Sequence, residues 1–197
     1  MSASWWTTAF GPLYAEVYHH RDETAAAAEI AGLLPRLRAH PGPMIDVGCG
    51  GGRHLAALRA AGFPALGLDL SPDLLALAGQ HRACSGCLVR GDLRQPPLAE
   101  GSCAAVLLLF TAFGYFDDSE NAACLTALSR LLVPGGWLLL DLPDSDHLRR
   151  GLVPTSQRAT PRGFVVSEQR ALIGNRVEKK VQVAQAGRIM ASWSENV

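Results

Sequence analysis

Apolar positions recur at helical spacing between Thr24 and Leu37, through Ile30, Leu33, Leu34 and Leu37, behind a cap at Asp22 or Thr24. Pro41-Gly42-Pro43 ends that stretch. Met44-Ile45-Asp46-Val47 then reads as a short buried strand running straight into glycines. Helical spacing returns from Arg53 to Ala61 through Leu55 and Leu58, with Gly62 as a C-terminal cap. Ala65 to Leu70 is a second strand. Ser71-Pro72-Asp73 supplies an N-cap, a first-turn proline and a first-turn acid for a helix through Leu74, Leu75 and Leu77. Cys87 to Gly91 is a weak third strand. Cys103 to Phe110 is a fourth, apolar throughout, as expected where both faces of a sheet are covered. Asp118 or Ser119 caps a helix carrying Leu125, Leu128, Leu131 and Leu132, Pro134-Gly135-Gly136 turns the chain, and Trp137 to Leu142 is a fifth buried strand. Strand and helix alternate five times, which predicts an α/β fold: a doubly wound, mainly parallel sheet.

After Asp144 the pattern changes. Phe164 to Ile173, Arg176 to Gln185 and Arg188 to Val197 are strand-like and partly polar, divided at Gly174-Asn175 and Ala186-Gly187 by hairpin-type turns. This predicts a C-terminal antiparallel ribbon, used as a cap over an acceptor site or as the contact of a homodimer. The expected organisation is residues 1–40 as an N-terminal lid and first helix, 41–143 as a Rossmann-like core, and 144–197 as the ribbon. ASWSENV stops as if in mid-strand, so the expectation is of a truncated chain lacking the last sheet strands.

Composition narrows the function classes. The 197 residues are 48% hydrophobic and carry 18 basic and 18 acidic side chains. With net charge zero and no basic run, an electrostatic grip on nucleic acid or on an anionic membrane is not expected. The N-terminus lacks the basic and apolar regions of a secretory signal, and the mostly apolar run from Ala104 to Phe116 is shorter than the ~20 residues of a membrane span. Five scattered cysteines suit reduced thiols and a cytoplasmic protein. His81-x-x-Cys84-x-x-Cys87 has metal-ligand spacing, but zinc needs four ligands and no second pair is spaced to complete the set. No metal is expected.

The candidate chemistry lies in Asp46-Val47-Gly48-Cys49-Gly50-Gly51-Gly52, between a strand and a helix. Gly48 and Gly50 allow a tight turn and close approach of a ligand, and the following helix directs its free N–H groups and dipole at whatever sits above. Asp69, nineteen residues beyond Gly50, ends the second strand where a ribose diol binds in dinucleotide-type folds. Asp92 ends the third. For each aspartate alone, a helix cap or turn is the competing explanation. A nicotinamide fingerprint needs glycine at position 53, where this chain has arginine.

The segments IDVGCGGGRHL, GLDLSPDLL, RGDLRQPPL, VLLLFTAFGYF and RLLVPGGWLLLDLP resemble, in order, the motifs of class I S-adenosylmethionine-dependent methyltransferases. Within that family the chain is similar to small bacterial methyltransferase-domain proteins with an FTSFGYF-like fourth motif. The resemblance covers about Trp6 to Leu142 and implies S-adenosylmethionine as cofactor. It implies that Asp46, Gly48, Gly50 and Gly52 surround the methionine part, Asp69 takes the ribose hydroxyls, Leu70 packs on adenine, Asp92 with Leu93 holds the adenine edge, and Phe110 lies close by. It also makes the N-terminal stretch a lid, from which Tyr14, Tyr18 or Arg21 reaches the cofactor carboxylate or the acceptor.

Methyl transfer from a sulfonium is an in-line displacement, so the protein must align, exclude water and, where needed, take a proton. Phe113 is a candidate pocket wall and Tyr115 a candidate proton relay. Packing on top of the sheet is the competing explanation for both. Family members often carry an acid near position 104, where this chain has Ala104, and it has no Asn-Pro-Pro-Tyr motif. The expected function is methylation of a small-molecule acceptor. The rivals are a cofactor-binding domain without turnover and, less well matched, a nicotinamide-dependent oxidoreductase.

Overall fold

The computed structural model describes residues 5–197. They divide into two compact units, residues 21–142 and residues 5–20 together with 143–197. Along the chain come the short helices α1 (Trp5–Ala9) and α2 (Tyr14–Val17), then α3 (Glu23–Leu37), β1 (Met44–Val47), α4 (Arg53–Ala60), β2 (Ala65–Asp69), α5 (Pro72–Ala78) and β3 (Leu88–Arg90). These are followed by β4 (Cys103–Leu108), α6 (Asp118–Arg130), β5 (Leu132–Leu140), α7 (Ser145–Gly151), β6 (Thr155–Ala159), β7 (Phe164–Ile173), β8 (Arg176–Gln185) and β9 (Arg188–Asn196).

Within residues 21–142 the five strands form one parallel sheet in the order β3-β2-β1-β4-β5. Every residue of β1 and β4 is buried, which is why both segments read as unbroken apolar runs. Side chains alternate between faces. Met44 and Leu107 pack with Ile30, Leu55 and Leu58 on one side, while Ile45, Val47, Val106 and Leu108 pack with Leu128 and Leu131 on the other. From β1 the chain winds outward to β2 and β3, then crosses to β4 on the other side of β1. The loops after β1 and β4 therefore diverge, and that switch point is where open α/β sheets bind ligands.

Several details differ from the sequence expectation. The fifth strand is half-exposed rather than buried, with Trp137 and Leu142 both open to solvent. The fourth strand ends at Leu108, because Phe110 and Thr111 turn to φ values of 54° and 56°. Pro134-Gly135-Gly136 lies inside β5, where pairing jumps from Cys103–Leu132 to Ala105–Trp137. The cap of α6 is Asp117, whose carboxylate accepts the Glu120 N–H at 2.8 Å, rather than Asp118 or Ser119. Ser71 and Asp22 cap α5 and α3 as their spacing requires.

In the other unit an antiparallel sheet runs β6-β7-β8-β9. Gly174 at φ 61° turns β7 into β8, and Ala186 and Gly187, both at positive φ, turn β8 into β9. Phe164, Val166, Val181, Val183 and Trp193 form its core with Ala9 and Val17 of the short helices. The sequence pattern missed β6: its half-buried positions are Ser156 and Arg158, so it shows no apolar alternation. Both serve the buried Glu168, which accepts from Arg158 at 2.6 Å, Arg170 at 2.5 Å and Ser156 at 3.1 Å. Among the described residues, no helix is long and apolar enough to cross a membrane.

Candidate functional site

The glycine loop takes its form from steric necessity. Gly48, Gly50 and Gly52 have φ values of 71°, 53° and 82°. A Cβ at Gly48 would come within 2.9 Å of Ala112 Cβ, and one at Gly52 within 2.9 Å of Ala78 Cβ. Those two glycines are held close by the protein itself. At Gly50 a Cβ would meet only Leu74 Cδ1 at 3.9 Å, so this glycine leaves the loop open on one side.

Two aspartates shape the same loop. Asp69, at the end of β2, accepts the Gly50 N–H at 2.8 Å through Oδ2 and the Ser71 N–H at 2.8 Å through Oδ1. Burial raises its carboxyl above the usual range against those donated N–H groups. Asp46 is buried in β1, and its Oδ2 has no hydrogen-bond partner. Burial first, then the charge of Asp69, pushes Asp46 up to about 7 against the opposing pull of Arg53 and the Leu55 backbone. Since the N-cap of α4 is Gly52, which has no side chain to cap the helix, a carboxylate from β1 complements its N-terminus.

Arg53 stands at the first position of α4. Its guanidinium lies 4.9 Å from the centre of the Phe110 ring, and that of Arg21 lies 5.1 Å from it. Glu29 bridges Arg53 at 3.4 Å and the buried His54 at 2.5 Å. Although burial alone would raise it, His54 and Arg53 hold the Glu29 carboxyl below its usual range. Arg53 Nη2 is buried without a partner. Phe110 is fixed in its left-handed conformation by its N–H, which donates to Asp141 Oδ2 at 2.8 Å. Sequence reasoning used Arg53 only as a mismatch to a glycine and overlooked Asp141. The available signal for Asp141 was a carboxylate ending a strand, as Asp69 and Asp92 do.

Leu70 is exposed beside Asp69, and Leu93 is half-buried against the second core cluster. Asp92 follows β3 in a close ion pair with Arg94. Phe113 packs partly on the second core cluster, and Tyr115 is half-buried with its ring edge-on to Phe116 at 6.5 Å. Asp46, Gly50, Asp69, Arg21, Arg53 and Phe110 are thus linked by contacts or charge within one unit. Tyr14 and Tyr18 belong to the other unit. Their rings lie 4.7 Å apart, and the Tyr18 hydroxyl accepts from Lys179 Nζ at 2.7 Å.

These groups suit a ligand with a cationic head, an anionic group and a ribose. An ammonium would relieve the orphaned Asp46 oxygen, an anion would satisfy Arg53 Nη2, and each Asp69 oxygen keeps a lone pair for a hydroxyl. The residues present fit S-adenosylmethionine.

Residues 44–136 match the methyltransferase domain family. The chain is 30% identical over 122 residues to a dTDP-3-amino-3,4,6-trideoxy-alpha-D-glucopyranose N,N-dimethyltransferase of Streptomyces venezuelae, covering 61% of this chain and 51% of that protein. It is 41% identical over 104 residues to the adenine nucleotide translocase lysine N-methyltransferase of Mus musculus, covering 50% and 45%. The chain thus spans about half the length of the curated relatives it matches. The structure of CalS10 with bound S-adenosylmethionine, an amino pentose methyltransferase from Micromonospora echinaspora, superposes with a TM-score of 0.67 at 30% identity, over 94% of this chain and 80% of that one. Glycine loop, strand-end aspartates, strand order and relatives agree: the chain belongs to the class I S-adenosylmethionine-dependent methyltransferases.

Proposed function

We propose that this chain transfers a methyl group from S-adenosylmethionine to the amino group of a small molecule, with amino sugars as the acceptor class. One observation carries the cofactor half of this reading: the buried, unpartnered Asp46 oxygen beneath a glycine loop that is open at Gly50. Bound there, the cofactor supplies an electrophilic methyl group on a sulfonium. Asp46 holds the ammonium, and Gly48 and Gly52 keep the backbone close. Arg53 and Arg21 hold the carboxylate, and Asp69 accepts from the ribose hydroxyls. Leu70 and Leu93 flank the adenine, whose amino edge Asp92 reads. The Phe110 ring and the Phe113 side chain wall the reacting centre, and the Tyr115 hydroxyl relays the acceptor's proton to water, accepting it as it gives up its own.

The acceptor half rests on coverage. In sequence, the match to an amino-sugar N,N-dimethyltransferase covers 61% of this chain against 50% for the lysine methyltransferase, and in structure the likeness to an amino pentose methyltransferase runs over 94% and so includes the antiparallel sheet. Acceptor choice is set outside the cofactor core, since that core serves many chemistries. Five unpaired, buried cysteines support a cytoplasmic location. The partner in this reading is the acceptor alone, with a homodimer as the expected assembly.

The test is calorimetric titration with S-adenosylmethionine, S-adenosylhomocysteine and NADH, followed by mass spectrometry of nucleotide-linked amino sugars, hydroxylated analogues and lysine peptides after incubation with the cofactor. Binding of the first two ligands and a 14-Da gain on an amino sugar are expected. Binding of NADH alone overturns the cofactor. Binding without turnover on any acceptor favours a regulatory domain, the reading to which Ala104 also leans, since a strand-four acid is missing there.

A further inference from the structure

Asp92 does not stand free at the end of β3. Its Oδ1 accepts the Arg94 backbone N–H at 2.9 Å, and Arg94 Nε lies 3.1 Å from each carboxylate oxygen. Arg94 Nη2 donates to Oδ2 at 2.7 Å. One residue therefore occupies the carboxylate through its backbone and through a two-toothed guanidinium contact. The same guanidinium reaches Glu120 Oε1 at 3.4 Å and lies 4.7 Å from the centre of the buried Phe116 ring. Phe116 closes the segment that begins at Phe110 and includes Tyr115, and the Asn121 side-chain amide of α6 donates to its carbonyl at 2.9 Å. Arg94 thus joins the loop after β3 to both the aromatic segment and the start of α6.

The loop is rigid where it meets Arg94. Gly91 N–H donates to Asp69 O at 3.0 Å, and a Cβ at Gly91 would come within 2.5 Å of Pro97 Cδ. Gln95 N–H donates to Asp92 O at 3.0 Å, closing a turn around Leu93 and Arg94. A stiff turn presents the carboxylate, and Arg94 decides which way it points. Glu120 and the Cys124 thiol, both on α6, are the other titratable groups near this pair.

We propose that Arg94 is a positioning residue for the adenine end of the cofactor site, holding the Asp92 carboxylate in one orientation while anchoring it to Phe116. This rests on the cofactor reading above, in which Asp92 accepts from the adenine amino group. A carboxylate offers that N–H acceptor lone pairs on both oxygens, whereas a protonated acid gives up part of that capacity to a donor of its own. Arg94 extends the ionised form toward acid pH: its hydrogen bonds hold the Asp92 carboxyl below the usual range. It also leaves each oxygen with a restricted set of open directions, so the amino edge of a purine meets a fixed acceptor rather than a rotating one.

The test is equilibrium binding of S-adenosylhomocysteine to the whole chain between pH 4 and pH 8, with wild type, Arg94→Gln, Asp92→Asn and the double variant. Wild-type affinity carries the titration of Asp46 within that range, so each variant is read as its ratio to wild type at the same pH. Arg94→Gln should bind at least about ten-fold more weakly at pH 7, the loss of a charge-assisted hydrogen bond, and weaken further below about pH 5 as the released Asp92 titrates. In the Asp92→Asn background the same change should have little effect, because there is no carboxylate left to orient. Arg94→Lys, which keeps the charge but not the fork, should recover the wild-type shape of the acid limb and only part of the affinity. Equal binding by wild type and Arg94→Gln at every pH overturns the proposal, as does an equal loss in both Asp92 backgrounds. If wild type itself binds no S-adenosylhomocysteine, the cofactor reading falls and takes this inference with it, so the two failures are told apart.

Discussion

Near neutral pH Asp46 sits close to its own midpoint, since burial and Asp69 push it from 3.8 up to about 7. A folded-state value above the ordinary one favours the folded state at low pH, and that advantage is lost as pH rises through the folded value. Urea unfolding of the unliganded protein should therefore show a contribution that declines between about pH 4 and pH 7 and is missing from Asp46→Asn. A pH slope that is the same in both proteins would count against this. Asp69 makes a different prediction, because its two oxygens hold the Gly50 and Ser71 N–H groups as well as facing the proposed ribose. Asp69→Ala should weaken S-adenosylhomocysteine binding by roughly 1–3 kcal/mol, read by calorimetry. Both aspartates were legible in the sequence, Asp46 because it opens the glycine-loop motif and Asp69 because it ends a strand. That burial raises both carboxyls was not, because desolvation depends on what packs around a carboxylate rather than on its neighbours in the chain.

At the scale of elements, helices and strands follow the chain where one pattern suffices. Ser71 and Asp22 begin α5 and α3, and continuous apolar runs make β1 and β4. The β8–β9 turn obeys its own rule imperfectly. Ala186 and Gly187 both take positive φ, a geometry that favours Asn-Gly, and alanine at φ 49° is strained. Ala186→Asn should raise stability by about 0.5–1 kcal/mol in thermal or urea unfolding, while leaving cofactor binding unchanged. An unaltered or lowered midpoint would show that the turn carries no such strain. Strand β6 escaped sequence reasoning for the opposite reason: its inner face is Ser156 and Arg158, which become partners only once Glu168 is opposite them on β7.

At the scale of the whole molecule, the two units carry separate cores, and each depends on pH through its own buried acid. Burial alone would raise Glu168, yet Arg158, Lys179 and Arg170 hold it at about 2, below its ordinary 4.5. Its stabilisation is complete above about pH 4.5 and is lost as pH falls through about 2. On acidification, amides of β7 and β8 should thus lose hydrogen-exchange protection before those of β1 and β4. Glu168→Gln, which leaves three cations without their carboxylate, should destabilise that unit by roughly 3–5 kcal/mol already at neutral pH. Simultaneous loss in both units would refute it. The sequence by itself determined the parallel core, the glycine loop and the strand-end acids, because periodicity, turn chemistry and capping act over a few residues. Only the tertiary structure decided that Arg53 and Arg21 meet at Phe110, that Asp141 holds Phe110 in place, and that Arg94 ties Asp92 to Phe116. It also grouped residues 5–20 with the antiparallel sheet and left Asp46 with an unpartnered oxygen. Those outcomes depend on which surfaces and charges meet once distant segments pack, and no local pattern encodes them.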